Sequence, residues 1–253
     1  MNDQTHELAV LIFEAKAILL VTGAGISTET GIPDFRGPQG VWKTERPVQY
    51  QDFVASETAR IEYWDQKIRS AVSIEAAQPG KVHRACVELD KAGKVEAIVT
   101  QNIDGLHSIA GSPPDKVIEV HGTAREAGCL DCSERVPASS TFAEFAATRI
   151  PPRCRCGGLL KPATISFGQA LDPMTMCSAQ KAAESCDLVI AMGTTLSVYP
   201  AAEIPLHAAR QGAPYVIINR GTTDHDGSPH VTLRIDADVG ETFASAVTAA
   251  LNS

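Results

Sequence analysis

No stretch of this 253-residue chain approaches the run of about 18 uninterrupted apolar residues that a membrane span requires, and its first residues lack the basic-then-apolar order of a secretory signal. Those absences point to an intracellular, cytoplasmic protein with no membrane partner. Positive charge is also scarce: 22 Lys and Arg stand against 30 Asp and Glu, a net charge of −8. A field of that sign repels polyanions, which argues against nucleic acid as a ligand and mildly favours basic, lysine-bearing partners. There is no internal repeat or low-complexity tract, and the short termini leave little room for built-in targeting. What remains is an ordinary globular composition, 44% hydrophobic, long enough for one α/β unit carrying a smaller appendage.

The most informative stretch is Thr22-Gly23-Ala24-Gly25-Ile26-Ser27, directly after the apolar run at 17–21. A strand feeding a Gly-rich loop lets backbone amides approach a pyrophosphate, with a helix N-terminus adding its partial positive charge. The dehydrogenase fingerprint would place a third small residue at position 28 and an acidic ribose anchor about 20 residues on. The chain has Thr28 and a loop, Gly37-Pro38-Gln39-Gly40-Val41-Trp42. A phosphate cradle is supported and hydride transfer is not.

Four further apolar runs stop abruptly in the same way. They end at Thr100-Gln101-Asn102, at His121-Gly122, at Gly193-Thr194-Thr195 and at Asn219-Arg220. Strands buried on both faces read as unbroken Val, Ile and Leu, and open parallel sheets bind ligands beyond their carboxyl ends. The five clusters therefore predict one crevice. Helices are expected at 6–16 with Thr5 as cap, in one or two pieces within 47–77, at 79–91, 105–110, 179–183, 202–210 and 241–251, so that the alternation reads as a doubly wound sheet.

An odd count of seven cysteines rules out complete pairing as disulfides, and four of them stand as Cys129-x-x-Cys132 and Cys154-x-Cys156. In a reducing compartment this spacing favours metal, and four thiolates complete the tetrahedral shell of a structural zinc with no open position. Gly157-Gly158 eases the tighter second pair, and Arg125, Arg135, Arg149, Arg153 and Arg155 are placed to offset the site's negative charge. Cys86, Cys177 and Cys186 read as small apolar core residues. The zinc segment, with the helices before it, suggests a small domain from two insertions, 38–77 and 124–161. A Rossmann-like large domain then takes 1–37, 78–123 and 162–253.

Taken in order, Gly23-Ala24-Gly25-Ile26-Ser27, Gly31-Ile32-Pro33-Asp34-Phe35-Arg36, Thr100-Gln101-Asn102-Ile103-Asp104-Gly105-Leu106-His107, His121-Gly122, the four cysteines and Gly193-Thr194-Thr195-Leu196 resemble the sirtuins, NAD-dependent protein deacylases. The likeness spans nearly the whole chain. It implies a Rossmann-like domain, a zinc-bearing domain, and a cleft where NAD and an acetylated-lysine peptide or protein meet. In that chemistry the acyl oxygen attacks the nicotinamide ribose, nicotinamide leaves, and a ribose hydroxyl then attacks the resulting imidate. The family's general base matches His121, and an imidazole, with an ordinary pKa of about 6.5, suits that proton transfer. His121 alone would read as a structural histidine; its place at a strand end beside the other clusters reverses that reading.

The resemblance also assigns the remaining site residues. Asn102 and Asp104 position the ribose and a water and bind the carboxamide, with Ile103 adding bulk and Gln101 holding ribose hydroxyls. Gly23, Ala24, Gly25, Ser27 and Asp34 belong to the cradle, Phe35 shields the nicotinamide site, and Arg36 anchors phosphate. Gly193, Thr194, Thr195 and Asn219 face the adenosine half, with Asp238 and Val239 bordering adenine. Residues 161–169 resemble the segment that pairs with substrate as an added strand, so Ile165, Phe167 and Gly168 would line the acyl-lysine tunnel and Val198 would flank its other edge. The family's usual Glu is Gln169 here, which removes a charge that would favour basic flanking residues.

Succinyl-preferring members carry a Tyr and, three residues later, an Arg; Tyr63-Trp64-Asp65-Gln66-Lys67 offers neither aromatic that partner. Without a bidentate partner a buried carboxylate is costly, so acetyl is expected first, with longer neutral acyls accepted. Other readings share the scaffold: an ADP-ribosyltransferase, an NAD glycohydrolase, or a non-enzymatic NAD-sensing module. Oligomeric state and target protein are left open.

Overall fold

Unbroken apolar strands form only where both faces are covered, and the computed structural model, which describes residues 3–35, 40–41 and 46–252, shows how. Six parallel strands, β1 (Ile18–Thr22), β2 (Val95–Thr100), β3 (Val117–Glu119), β7 (Leu188–Met192), β8 (Tyr215–Ile218) and β9 (Leu233–Ile235), lie in the order β3-β2-β1-β7-β8-β9. The order reverses between β1 and β7, the topological switch point of a doubly wound sheet. Alternate residues divide the core. Ile18, Leu20, Leu188, Ile190 and Met192 pack beneath α1 (Asp3–Glu14), α4 (Lys81–Lys91) and α9 (Val239–Leu251). Leu19, Val21, Val189 and Ala191 face α7 (Pro173–Ser185) and α8 (Glu203–Arg210), where Ala179, Ala182, Ala183 and Ala208 bring the helices close.

Helix α1 starts earlier and stops sooner than the pattern predicts. Thr5 lies inside it and is buried, and the Asp187 carboxylate takes the amides of Lys16 (2.8 Å) and Ala17 (2.9 Å), which pulls the chain into β1. The 47–77 stretch forms two helices, α2 (Tyr50–Ala55) and α3 (Glu57–Ala76), separated at Ser56, whose hydroxyl caps α3.

A second sheet is antiparallel, with β4 (Gly122–Cys129) between β5 (Arg135–Pro137) and β6 (Leu160–Thr164), and α6 (Ala138–Thr148) packs beside it. Its core joins Phe53, Tyr63 and Trp64 from the two helices to Ala127, Phe145 and Leu160. Gly122 makes the junction between the sheets. At φ +72° it holds a left-handed conformation, and a Cβ there would sit 2.0 Å from the Ala163 carbonyl oxygen, so only glycine lets β6 cross this closely. β6 is an edge strand: among the described residues no strand pairs with its far side.

Candidate active site

Register makes the site. Thr22 aligns with Thr100 and Met192, Thr100 with Glu119, Met192 with Ile218, and Ile218 with Ile235, so all six strands finish level. The next residues form one rim in which Gly23, Gln101, Val120-His121, Gly193 and Asn219 stand side by side. Backbone pairing runs one step further, through Gln101 N to Thr22 O (2.9 Å), Gly23 N to Met192 O (3.0 Å) and Asn219 N to Ile235 O (3.1 Å).

The Gly loop turns into two short 3-10 turns, Ala24–Ile26 and Thr28–Thr30, where the sequence suggested a helix N-terminus. Its glycines serve packing between loops. A Cβ on Gly25 would lie 2.8 Å from Gly193 Cα, and one on Gly193, at φ +61°, 2.6 Å from Ile26 N. The loops after β1 and β7 are thus pressed backbone to backbone at the switch point.

Behind the loop, Ser27 donates to Asp104 Oδ2 (2.8 Å) and accepts from Asn102 Nδ2 (3.2 Å). The other Asp104 oxygen accepts from Leu106 N (2.9 Å) at the start of α5 (Leu106–Ala110), so this carboxylate serves both the helix end and the site. Gln101 Nε2 reaches Thr194 Oγ1 at 3.2 Å, spanning the switch point. The His121 ring nitrogen Nδ1 lies 3.1 Å from Gln101 O. As a donor to that carbonyl it leaves the basic lone pair on Nε2. The amide of Ile165 donates to His121 O at 2.9 Å, which joins the segment after β6 to the histidine's own backbone.

A 240 Å³ cavity opens where these elements meet. Ala24, Ser27, Ile32, Pro33, Phe35 and Val41 come from the loop after β1, Asn102, Ile103 and Asp104 from the loop after β2, and Gln66, Lys67, Arg69, Ser70, Ser73 and Ile74 from α3. His121, Gln101, Ile165 and Phe167 lie outside its lining. Thr195, whose hydroxyl is 2.8 Å from Ser197 Oγ, and Asn219, whose amide donates to Arg220 O and Gly221 O, sit on the β7–β8 side of the rim. Asp238 caps α9 through Glu241 N (3.0 Å) and pairs with Arg220 (3.0 Å), with Val239 buried next to it. Val198 O holds Ala202 N at 2.9 Å, and Gly168 lies beyond β6 with φ +79°. Arg36 lies outside the described residues. The α3 face escaped sequence reading because its polar residues look like a solvated helix surface, while Tyr63 and Trp64, the aromatics singled out there, are buried in the small core.

Two histidines form the floor beneath this rim. His107 contacts Thr22 Oγ1 (3.1 Å), its ring is 4.8 Å from that of His83, and His83 Nδ1 accepts from Gly80 N (3.1 Å). Burial pushes His107 down to about 3 and His83 to about 4, the latter against the pull of Asp104. Because the unfolded chain takes up protons near pH 6.5, stability present above that pH is lost as pH falls toward 4. Glu119, pushed up to about 7 by burial and by Asp104 and Glu126, works oppositely: the stability it favours below its ordinary range is lost as pH rises to 7. Two histidines outweigh one carboxyl, so the melting temperature should fall by about 5 °C between pH 6.5 and 4.5. His107→Gln should remove most of that fall in thermal scans, because one histidine and one carboxyl then nearly cancel.

The four cysteine sulfurs lie within 4.8 Å of one another, with Cys129 to Cys156 at 3.5 Å and Cys132 to Cys154 at 3.7 Å. A zinc tetrahedron with Zn–S bonds of about 2.3 Å has edges near 3.8 Å, so the donor set fits structural zinc. The sulfurs accept from Asp131 N and Gly158 N, each at 3.4 Å. The surrounding arginines are engaged elsewhere: Arg125 with Asp104 O, Arg135 with Glu126, Arg149 with Asp65, Arg153 with Gly157 O and Arg155 with Glu134. Arg155 still feels the charge of Cys154 as expected, while backbone amides make the direct contacts with sulfur. Cys86 is core as expected, Cys186 is half-buried, but Cys177 is exposed on the outer face of α7.

A level parallel sheet with a Gly turn at its switch point, a rim histidine and a second, antiparallel sheet with a four-cysteine cluster define an α/β protein of the dinucleotide-binding class with a site fit for structural zinc. The Sir2 family model matches residues 23–200, and the chain belongs to that family. It is 43% identical over 243 residues to NAD-dependent protein deacetylase 1 of Bradyrhizobium diazoefficiens, covering 96% of this chain and 95% of that protein. Over 244 residues it is 41% identical to an NAD-dependent protein deacetylase of Rhodopseudomonas palustris, covering 96% of each. Among solved structures, a Sir2 complex with p53 peptide and NAD+ matches with a TM-score of 0.87 at 32% identity, covering 100% of both chains. Sir2Tm bound to a propionylated peptide matches at 0.84 and 33%, covering 96% of each.

Proposed function

We propose that this protein is an NAD-dependent protein lysine deacetylase that releases nicotinamide and passes the acetyl group to ADP-ribose. The observation that carries the reading is the hydrogen bond from Ile165 N to His121 O: it sets an edge segment able to receive a peptide beside the base that serves the dinucleotide. Ala24, Ser27, Phe35, Asn102, Ile103 and Asp104 would enclose the nicotinamide end in the cavity. Gly23, Gly25, Asp34 and Arg36 would hold the diphosphate. Gly193, Thr194, Thr195 and Asn219, with Asp238 and Val239, would hold the adenosine half, and Gln101 the ribose between. His121 is the general base, with Asn102 and Asp104 positioning sugar and water. Ile165, Phe167, Gly168 and Val198 would bound the acyl-lysine.

We assign 1–37, 78–123 and 162–253 to one lobe and 38–77 and 124–161 to the other, with β4 and β6 running across the seams. A cytoplasmic setting fits, since reducing conditions keep the thiols of Cys129, Cys132, Cys154 and Cys156 available to zinc. No helix among the described residues is long and apolar enough to cross a membrane. Incubation with NAD and an acetyl-lysine peptide, followed by mass spectrometry, should yield nicotinamide, unmodified lysine and O-acetyl-ADP-ribose; absence of all three sinks the reading.

The acyl preference follows from the apolar residues assigned to the acyl-lysine, Ile165, Phe167 and Val198, and from the wall of the cavity that receives the nicotinamide end. Ile32, Pro33, Phe35, Val41, Ile74 and Ile103 line it, and the ammonium of Lys67 lies 5.2 Å from the Tyr63 ring centroid. Acetyl and propionyl peptides should be turned over at least about tenfold faster than a succinyl peptide, because the forked donor in the cavity wall, Arg69, already lies in the field of the Asp65 carboxylate. Faster succinyl removal in parallel assays overturns this.

A further inference from the structure

Lys161 is a buried charge in an unexpected place. It stands near the start of the edge strand β6, is 2% exposed, and no carboxylate pairs with it among the described residues. Burial pulls its pKa down, and its charged neighbours Lys67 and Arg135 add to that. Burying an ammonium costs far more than burying a leucine, so its donors matter. They reach forward along the chain. Nζ shares its three protons among four oxygens, Pro162 O (3.1 Å), Thr164 O, Ser166 Oγ (3.3 Å) and Tyr63 Oη (3.4 Å).

Tyr63 completes the arrangement from α3. It is 3% exposed, packs edge-on against Phe53 at 4.9 Å, accepts from Ser166 Oγ (3.2 Å) and lies 3.4 Å from Thr164 Oγ1. Burial alone would raise the phenol's pKa, but Lys67, Lys161 and the two hydroxyls draw it down to about 8. The neighbouring Phe167 carbonyl is held by Tyr50 N (2.9 Å) at the start of α2. Residues 164–167 are therefore fixed from the helical side by side chains and from the rim by His121 O.

We infer that Lys161 and Tyr63 act as a positioning couple that sets the height and register of residues 164–167 against the incoming acyl-lysine peptide, an inference that rests on the deacetylase reading. An added strand bonds only if the receiving backbone is held at the right spacing, and neither residue touches the reacting atoms. Tyr63→Phe keeps the packing against Phe53 and removes one hydroxyl. It should raise the peptide KM about fivefold or more, the scale of one buried hydrogen bond, while NAD KM stays within about twofold and the melting temperature within a few degrees. Lys161→Met should do more, and Lys161→Arg should restore most of the peptide KM. Peptide KM unchanged in Tyr63→Phe, or peptide and NAD KM rising together, overturns the couple while leaving the deacetylase reading intact. A wild-type protein that deacetylates no peptide overturns that reading and the inference with it.

Discussion

His121→Ala should lower acetyl-peptide turnover by about 10²-fold or more, the scale of a lost general base. The Nδ1 contact with Gln101 O at 3.1 Å fixes the ring, and what the substitution removes is Nε2. It does not remove the carbonyl of residue 121, so the bond from Ile165 N survives and peptide KM should change little. The loss belongs in kcat, because the base acts on a ribose hydroxyl after nicotinamide has left. Steady-state kinetics with acetyl peptide and NAD varied separately checks this. Full activity in the variant removes the base assignment.

Loss of the metal should be the largest structural perturbation. The four sulfurs arise from the ends of β4 and from the loop that leads into β6, and Cys129 and Cys154 belong to the same buried cluster as Phe53, Trp64 and Phe145. For small structural zinc sites the binding free energy is folding free energy, about 10–16 kcal/mol in isolated zinc-finger peptides. Elemental analysis should find one equivalent of zinc in the wild-type protein and none in Cys132→Ser, whose melting temperature should be lower by about 10 °C or more. Trp64, fully buried beside Phe142 (5.8 Å) and Phe145 (6.0 Å), should redden in emission as that core loosens. A variant that keeps both metal and melting temperature would show that these thiols are not ligands.

The parallel sheet was largely legible because its strands are buried on both faces and stop at polar clusters. The five anticipated strand ends fall at Thr22, Thr100, Glu119, Met192 and Ile218, and the sheet brings all of them to one edge. β9 was missed, since three residues with the half-exposed Arg234 between Leu233 and Ile235 carry no periodic signal. The small sheet was missed for a different reason. β4 reads Gly-Thr-Ala-Arg-Glu-Ala-Gly-Cys, a poor strand by propensity, and pairing with β5 and β6 overrides its local preference. At the site, chemistry-bearing motifs announced themselves, whereas Lys67, Arg69, Ser70 and Ser73 depend on how α3 is rotated against the rim. No linear pattern encodes that rotation. Lys161 likewise carries no sign of its burial in the sequence around it, yet it is 2% exposed.

On the proposed reading, the bond between Ile165 N and His121 O makes the two substrates meet at opposite ends of a single residue. Tension applied to the edge segment by a seated peptide would then pass to the histidine's backbone with no intervening side chain, and a poorly seated target would displace the proposed base as well. Selectivity for the protein substrate and thrift with the dinucleotide are thereby written into the same few atoms.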